Sequence, residues 1–233
     1  MISKTRMLSL VKELQWMEVA RALTENPRLM DFRDKRGRNW LHLCCGVNIS
    51  ERKLKASDSI KTAEVLLNAG LDINKEAFSE ENFKATPLWY AVAFGRNFKL
   101  AEYLLKRGSD PNHCLHAAAF NNDVDAIRLL IAHGAVIDPD VEDGSPFLFA
   151  VQWSRFPAAE ELLRLGADVN FQNSKQVTAL HCMLKKGTDK RYVRMLLKYG
   201  ARVDLKDAKG ITAAEILARK RDPDFRKMAA QLV

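Results

Sequence analysis

The chain has 233 residues, 47% hydrophobic and 28% charged, with a formal net charge of +8. That mixture suits a globular protein with a core of its own, and eleven glycines and seven prolines are too few for a collagen-like or proline-rich disordered chain. No apolar stretch approaches the roughly 18 residues that cross a bilayer.

Near the start, Lys4 and Arg6 are followed by Lys12 and Glu13, which interrupt the apolar run of a secretory leader. Cys44, Cys45, Cys114 and Cys182 include no C-x-x-C pair and read as reduced thiols. Both features point to an intracellular protein, cytoplasmic or nuclear.

The strongest signal along the chain is a repeat. An aliphatic pair followed after two residues by glycine occurs at Leu66-Leu67…Gly70, Leu104-Leu105…Gly108, Leu130-Ile131…Gly134, Leu162-Leu163…Gly166 and Leu196-Leu197…Gly200. Glycine suits a left-handed helix end, and the Asp and Asn of Gly-Leu-Asp-Ile-Asn (70–74) or Gly-Ala-Asp-Val-Asn (166–170) suit a following turn. A second marker opens each unit: Thr86-Pro87-Leu88, Ser145-Pro146-Phe147 and Thr178-Ala179-Leu180, with Asn39-Trp40-Leu41-His42 as a degraded copy. Ser or Thr caps a helix there, and Pro fits its first turn.

These motifs resemble the ankyrin repeat, with its T-P-L-H-x-A inner helix, its outer helix ending L-L-x-x-G-A-D-x-N and its hairpin finger. The resemblance implies an all-α solenoid of helix-turn-helix units with short β-hairpin fingers, one domain over 1–233. Its parts would be a capping helix pair within 1–33, five repeats over 34–206 starting near 34, 82, 113, 142 and 174, and a C-terminal cap over 207–233. The cap keeps Asp207-x-x-Gly210-x-Thr212 before the charged run Arg219–Pro223.

Three departures stand out. Repeat one has 22 residues from Asn48 to Gly70, and the polar, basic segment 49–58 reads as an exposed loop between its helices. Gly108 to Leu115 is seven residues, too short for a finger. Gly70 to Leu88 is 18 residues, so the finger before that gap is long.

In the ankyrin pattern the inner helices line a concave face. Offsets from T-P-L-H place there Leu43, Gly46 and Val47; Tyr90, Ala93 and Phe94; Ala117, Phe120 and Asn121; Phe149, Gln152 and Trp153; and Cys182, Lys185 and Lys186. Five aromatics, Tyr90, Phe94, Phe120, Phe149 and Trp153, would thus form an exposed strip, and such patches mark interaction sites. Tyr90 and Trp153 are the expected anchors, with Lys185 and Lys186 beside them. At the H of T-P-L-H, His42, His116 and His181 would bond backbone of adjacent turns. His113 and Cys114 lack a second Cys/His pair at zinc spacing, so no metal is expected.

No G-x-S-x-G, glycine-rich phosphate loop or H-E-x-x-H appears, so neither enzyme activity nor a cofactor is expected. Cys182 near Lys185 and Lys186 is the one thiol whose pKa neighbours could lower. Charge is uneven: 113–170 carries net −6 and 171–233 net +9, with an acidic run over 138–143. The resemblance implies binding of one protein partner, as an adaptor or by sequestering or inhibiting it, and the capped ends, which leave no repeat face open for stacking, point to a monomer. The alternative is a nucleic acid or acidic partner on the basic C-terminal repeats, against which the acidic block stands.

Overall fold

The computed structural model describes residues 2–77, 85–139, 143–187 and 189–231. Two helices open the chain, α1 (Lys4–Lys12) and α2 (Trp16–Glu25), followed by a 3-10 turn at Pro27–Asp31. Helix pairs then alternate short and long. The inner members are α3 (Trp40–Cys45), α6 (Pro87–Tyr90, running into a π turn, Ala91–Gly95), α8 (Leu115–Phe120), α10 (Pro146–Gln152) and α12 (Ala179–Lys186). Their outer partners are α5 (Ala56–Asn68), α7 (Phe98–Lys106), α9 (Val124–Ala132), α11 (Phe156–Arg164) and α13 (Lys190–Lys198). A last pair, α14 (Ala213–Ala218) and α15 (Pro223–Gln231), closes the chain.

The capping chemistry is the one the motifs predict. Thr86, Ser145 and Thr178 accept from the backbone N–H groups of Trp89, Leu148 and His181, and Pro87 and Pro146 fill the first helical position. Asn39 takes the same place in α3, and Thr212 in α14. Each outer helix ends in a Schellman closure. The N–H after the glycine reaches back to the carbonyl of the first leucine: Leu71 to Leu66, Ser109 to Leu104, Ala135 to Leu130, Ala167 to Leu162 and Ala201 to Leu196. Those five leucines are fully buried, so one residue sets both the core contact and the helix end. At Gly70 φ is +101° and a Cβ would meet nothing within 4 Å, so backbone conformation and not space requires glycine.

Among the described residues the fingers are tight turns without a named strand. Asp34 N–H donates to the Arg38 carbonyl at 3.0 Å and Asp207 N–H to that of Ile211 at 2.9 Å, and isolated antiparallel bridges join Ala77 to Ala85 and Lys206 to Thr212. No finger separates α7 from α8: the chain turns through Asn112 and His113, the latter at φ +66°, directly into Leu115. The long finger before α6 includes 78–84, and the acidic run includes 140–142, both outside the described residues.

The segment 49–58 is not a loop. Ile49–Arg52 forms a helical turn, α4, capped by Asn48; after the link at 53–55, residues 56–58 begin α5, which runs 13 residues against nine in α7, α9, α11 and α13. The chain divides into two compact units, Met1–Ala117 with Arg128–Ala135, and Ala118–Ile127 with Val136–Val233. In the first, α3 packs on α6, and α2, α5 and α7 pack in series. In the second, α10, α12 and α14 pack in series with α11 and α13 behind the first two.

Candidate functional site

In the second unit, three predicted rings come together. Phe149 and Trp153 stand four residues apart at one side of α10, and Phe120 ends α8. Trp153 meets Phe120 edge to face at 5.2 Å, and Phe149 lies 6.2 Å from Phe120 and 6.1 Å from Trp153. Phe120 is 39% exposed, Trp153 52%, and Phe149 is half-buried beneath them. The rings contact one another, and the exposed faces of Phe120 and Trp153 offer an outer apolar surface. Its rim is cationic: the Arg155 guanidinium lies 5.5 Å from the Phe120 centroid, and the Lys186 ammonium donates to the Gln152 carbonyl.

In the first unit the expectation holds for Phe94, 54% exposed, and fails for Tyr90, which is 4% exposed. The Tyr90 ring lies beside Gly46, its Cδ1 in van der Waals contact at 3.5 Å from where a Cβ would stand. His42, Trp89 and Phe94 surround it at 5.2 to 5.7 Å, and the Arg38 guanidinium lies 5.6 Å from its centroid. Val47 is likewise buried; the remaining residues on the predicted face are exposed or half-buried. Tyr90 is therefore a core support for Phe94 that presents little surface of its own.

Lys185 and Lys186 are exposed but engaged. The Lys185 ammonium pairs with the buried Asp207 at 2.8 Å, and this contact, with N–H groups of Ile211 and Lys209, holds the Asp207 carboxyl down at about 2. The basic helix α13 is similarly interleaved with carboxylates. Lys190 meets Asp222 at 2.6 Å and Asp224 at 2.9 Å, and Arg194 meets Asp224 at 3.8 Å. Arg202 meets Asp204 at 2.6 Å. An uninterrupted phosphate track does not form there.

Burial raises the Cys182 thiol above its ordinary pKa, and Lys186 and Lys185 offset this only in part, so the activated-thiol reading is overturned. Burial likewise pushes Cys44 up to about 12 and Cys114 higher still. Among the described residues, no three His, Cys, Asp or Glu side chains gather as a metal site.

His42 and His181 do what the motif requires. His42 Nδ1 accepts from the Asn39 N–H at 3.2 Å, and Nε2 lies 2.8 Å from the Lys75 carbonyl. His181 repeats this with Thr178 and the Ile211 carbonyl, at 3.3 and 3.1 Å. Each imidazole ties an inner helix to the next finger.

Comparison with known families agrees with this geometry. A family model described as "Ankyrin repeats (3 copies)" matches residues 107–173, and one described as "Ankyrin repeat" matches 84–114. The human ASB11 ankyrin repeat domain superposes with a TM-score of 0.76 at 19% identity, covering 96% of both chains. The ankyrin repeat domain of Bcl-3, a unique member of the IkappaB protein family, gives 0.74 at 24% identity, covering 95% of this chain and 97% of that one. Residues 84–173 carry ankyrin repeats, and the chain as a whole has the ankyrin-repeat fold.

Among curated relatives, human inversin is 36% identical over 125 residues, 53% of this chain and 12% of inversin. A Caenorhabditis elegans homolog of transient receptor potential channel subfamily A member 1 is 28% identical over 181 residues, 68% of this chain and 14% of that protein. The chain thus spans about an eighth of the length of these relatives. Ankyrin repeat domains generally mediate protein–protein interaction and are typically non-catalytic. No helix among the described residues is long and apolar enough to cross a membrane.

The sequence reading missed one ankyrin-repeat feature, the turn between inner and outer helices. Leu14, Arg96, Asn122 and Ser154 take left-handed φ values of 55°, 46°, 55° and 56° without being glycine. Asn122 also shows a compensating use, its side chain accepting from the Ala158 N–H at 3.0 Å. Only Asn among these types favours that conformation, so composition carried no signal.

Proposed function

We propose that this ankyrin-repeat chain is a non-catalytic module that binds one protein partner through the aromatic patch of Phe120, Phe149 and Trp153. The observation that carries the reading is a large exposed Trp in edge-to-face contact with an exposed Phe, both from inner helices. Burying such rings against a partner releases water from apolar surface, and aromatic anchors of this kind dominate interface energies. Arg155 and Lys186 at the rim supply register. Phe94, with Tyr90 behind it, is a second exposed ring in the first unit. The chain acts as a monomer in a reducing compartment, by sequestering or inhibiting its target or by bridging it to another.

The test is capture of a partner by the wild type and by Trp153→Ala and Phe120→Ala, each after nuclease treatment. A protein held through nuclease and lost in both variants, with thermal melts unchanged, supports the reading. Capture that ignores both changes and disappears with nuclease moves the site to the basic C-terminal repeats.

A further inference from the structure

The insertion that lengthens repeat one builds a groove of about 600 Å³ in the first unit. The finger carrying Asp34, Arg36 and Arg38 forms one wall, and α4, with Asn48, Glu51 and Arg52, the other. Leu8 and Lys12 of α1 line it as well, and the floor is apolar: Leu43, Val47, Tyr90 and the exposed ring of Phe94. The Arg52 guanidinium reaches the Lys12 carbonyl at 3.5 Å, which brings α4 beside the end of α1. In the repeats with a short inner–outer connection, a single left-handed residue stands where this wall is, so the insertion supplies the α4 side of the groove.

Its charge is unbalanced. Four cations, Lys12, Arg36, Arg38 and Arg52, face two carboxylates. Asp34 is taken by Arg38 at 2.7 Å, and Glu51 accepts from the Asn48 amide at 2.8 Å. Lys12 and Arg52 make no ion pair among the described residues. We propose that this groove binds an acidic, extended peptide segment of a partner protein, its carboxylates on Lys12 and Arg52 and one aliphatic or aromatic side chain on the Leu43–Phe94 floor. Asp34 and Glu51 stand among the cations and would repel a continuous phosphate backbone, whereas a peptide places its carboxylates at intervals. The proposal rests on the protein-binding reading but uses none of the residues of the Phe120–Trp153 patch.

The experiment is selection of a displayed library of random dodecapeptides on the full chain, followed by fluorescence anisotropy of the enriched peptides. The expected peptides are rich in Asp and Glu around one Leu, Ile or Phe. They should bind Lys12→Glu/Arg52→Glu and the milder Lys12→Gln/Arg52→Gln at least about tenfold more weakly, and Phe94→Ser at least about fivefold more weakly. Trp153→Ala should leave them within about twofold, and circular dichroism should show every variant folded. Three results overturn the groove: no enrichment, acidic peptides indifferent to both double variants, or displacement of the peptides by an equally sensitive oligothymidylate. Peptides that depend on Trp153 alone overturn it too, while leaving the protein-binding reading intact.

Discussion

At the scale of the residue, His42 and Asp138 show how the repeat uses protons. Burial holds His42 neutral, its pKa down at about 4 from 6.5; the Arg33 and Arg38 cations add to this, and the Lys75 carbonyl at Nε2 opposes it only in part. The unfolded chain binds that proton first, so stability is complete above about pH 6.5 and falls as pH drops toward 4, by about 3 kcal/mol in all. Urea titrations at pH 7 and 4.5 should show the loss, and His42→Gln should flatten it. Asp138 stands four residues after its glycine, as Asn74 and Asn170 do. Those two asparagines donate to the carbonyls of Gly108 and Gly200 and accept from the N–H groups of Asp110 and Arg202. Asp138 accepts from Asp168 at 2.8 Å but cannot donate when ionised; its other oxygen is buried with no hydrogen bond of full geometry among the described residues, and burial raises its pKa. Asp138→Asn should therefore stabilise the fold by about 1 kcal/mol at pH 7. Because the folded pKa is raised, the wild type recovers stability as pH falls toward 3.8, and the advantage should shrink there in the same titration.

At the scale of the element, outer helices are specified locally and inner helices by what they touch. Leucine, glycine and the residue after it close each outer helix within six residues, which is why spacing alone located all five ends. Leu130→Ala or Leu163→Ala should cost about 2–5 kcal/mol in chemical denaturation. The segment 49–58 read as a loop because it buries no stripe of its own, and the stripe of α5 that follows it is disguised. Ser59, Thr62, Ala63 and Leu66 recur at helical spacing, but the two hydroxyls are satisfied by the carbonyls of Ala56 and Asp58 and so can be buried. Inner helices approach more closely than composition suggests: a Cβ on Gly95 would stand 2.2 Å from the Cys45 carbonyl oxygen. Gly95→Ala should lower stability by about 2 kcal/mol or more, since backbone and not a flexible side chain would have to move. Tyr90→Ala should likewise cost about 3 kcal/mol, unlike a surface aromatic.

At the scale of the whole molecule, binding and stability should separate by position. Trp153→Ala should weaken partner binding by about 2 kcal/mol or more while shifting folding stability by about 1 kcal/mol or less, read by titration calorimetry beside thermal melts. A Trp153→Ala protein that unfolds yet binds normally per folded molecule would remove the aromatic patch from the interface. Charge reversal at Lys185 should instead register in stability, because its partner Asp207 is buried and anchors the turn before α14. By itself the sequence determined the repeat, the places of the outer helices and the capped starts of the inner ones, because each depends on contacts within a few residues. It also placed Phe94, Phe120 and Trp153 on an exposed face, since a fixed offset from a cap sets which way a helical residue points. Only the tertiary structure decided that Tyr90 is buried, that the basic helix is threaded with carboxylates and that the insertion walls a cationic groove. Those outcomes turn on side chains brought together from segments far apart in the chain: Gly46 with Tyr90, Lys190 with Asp222, Arg52 with Lys12. No local spacing encodes such meetings.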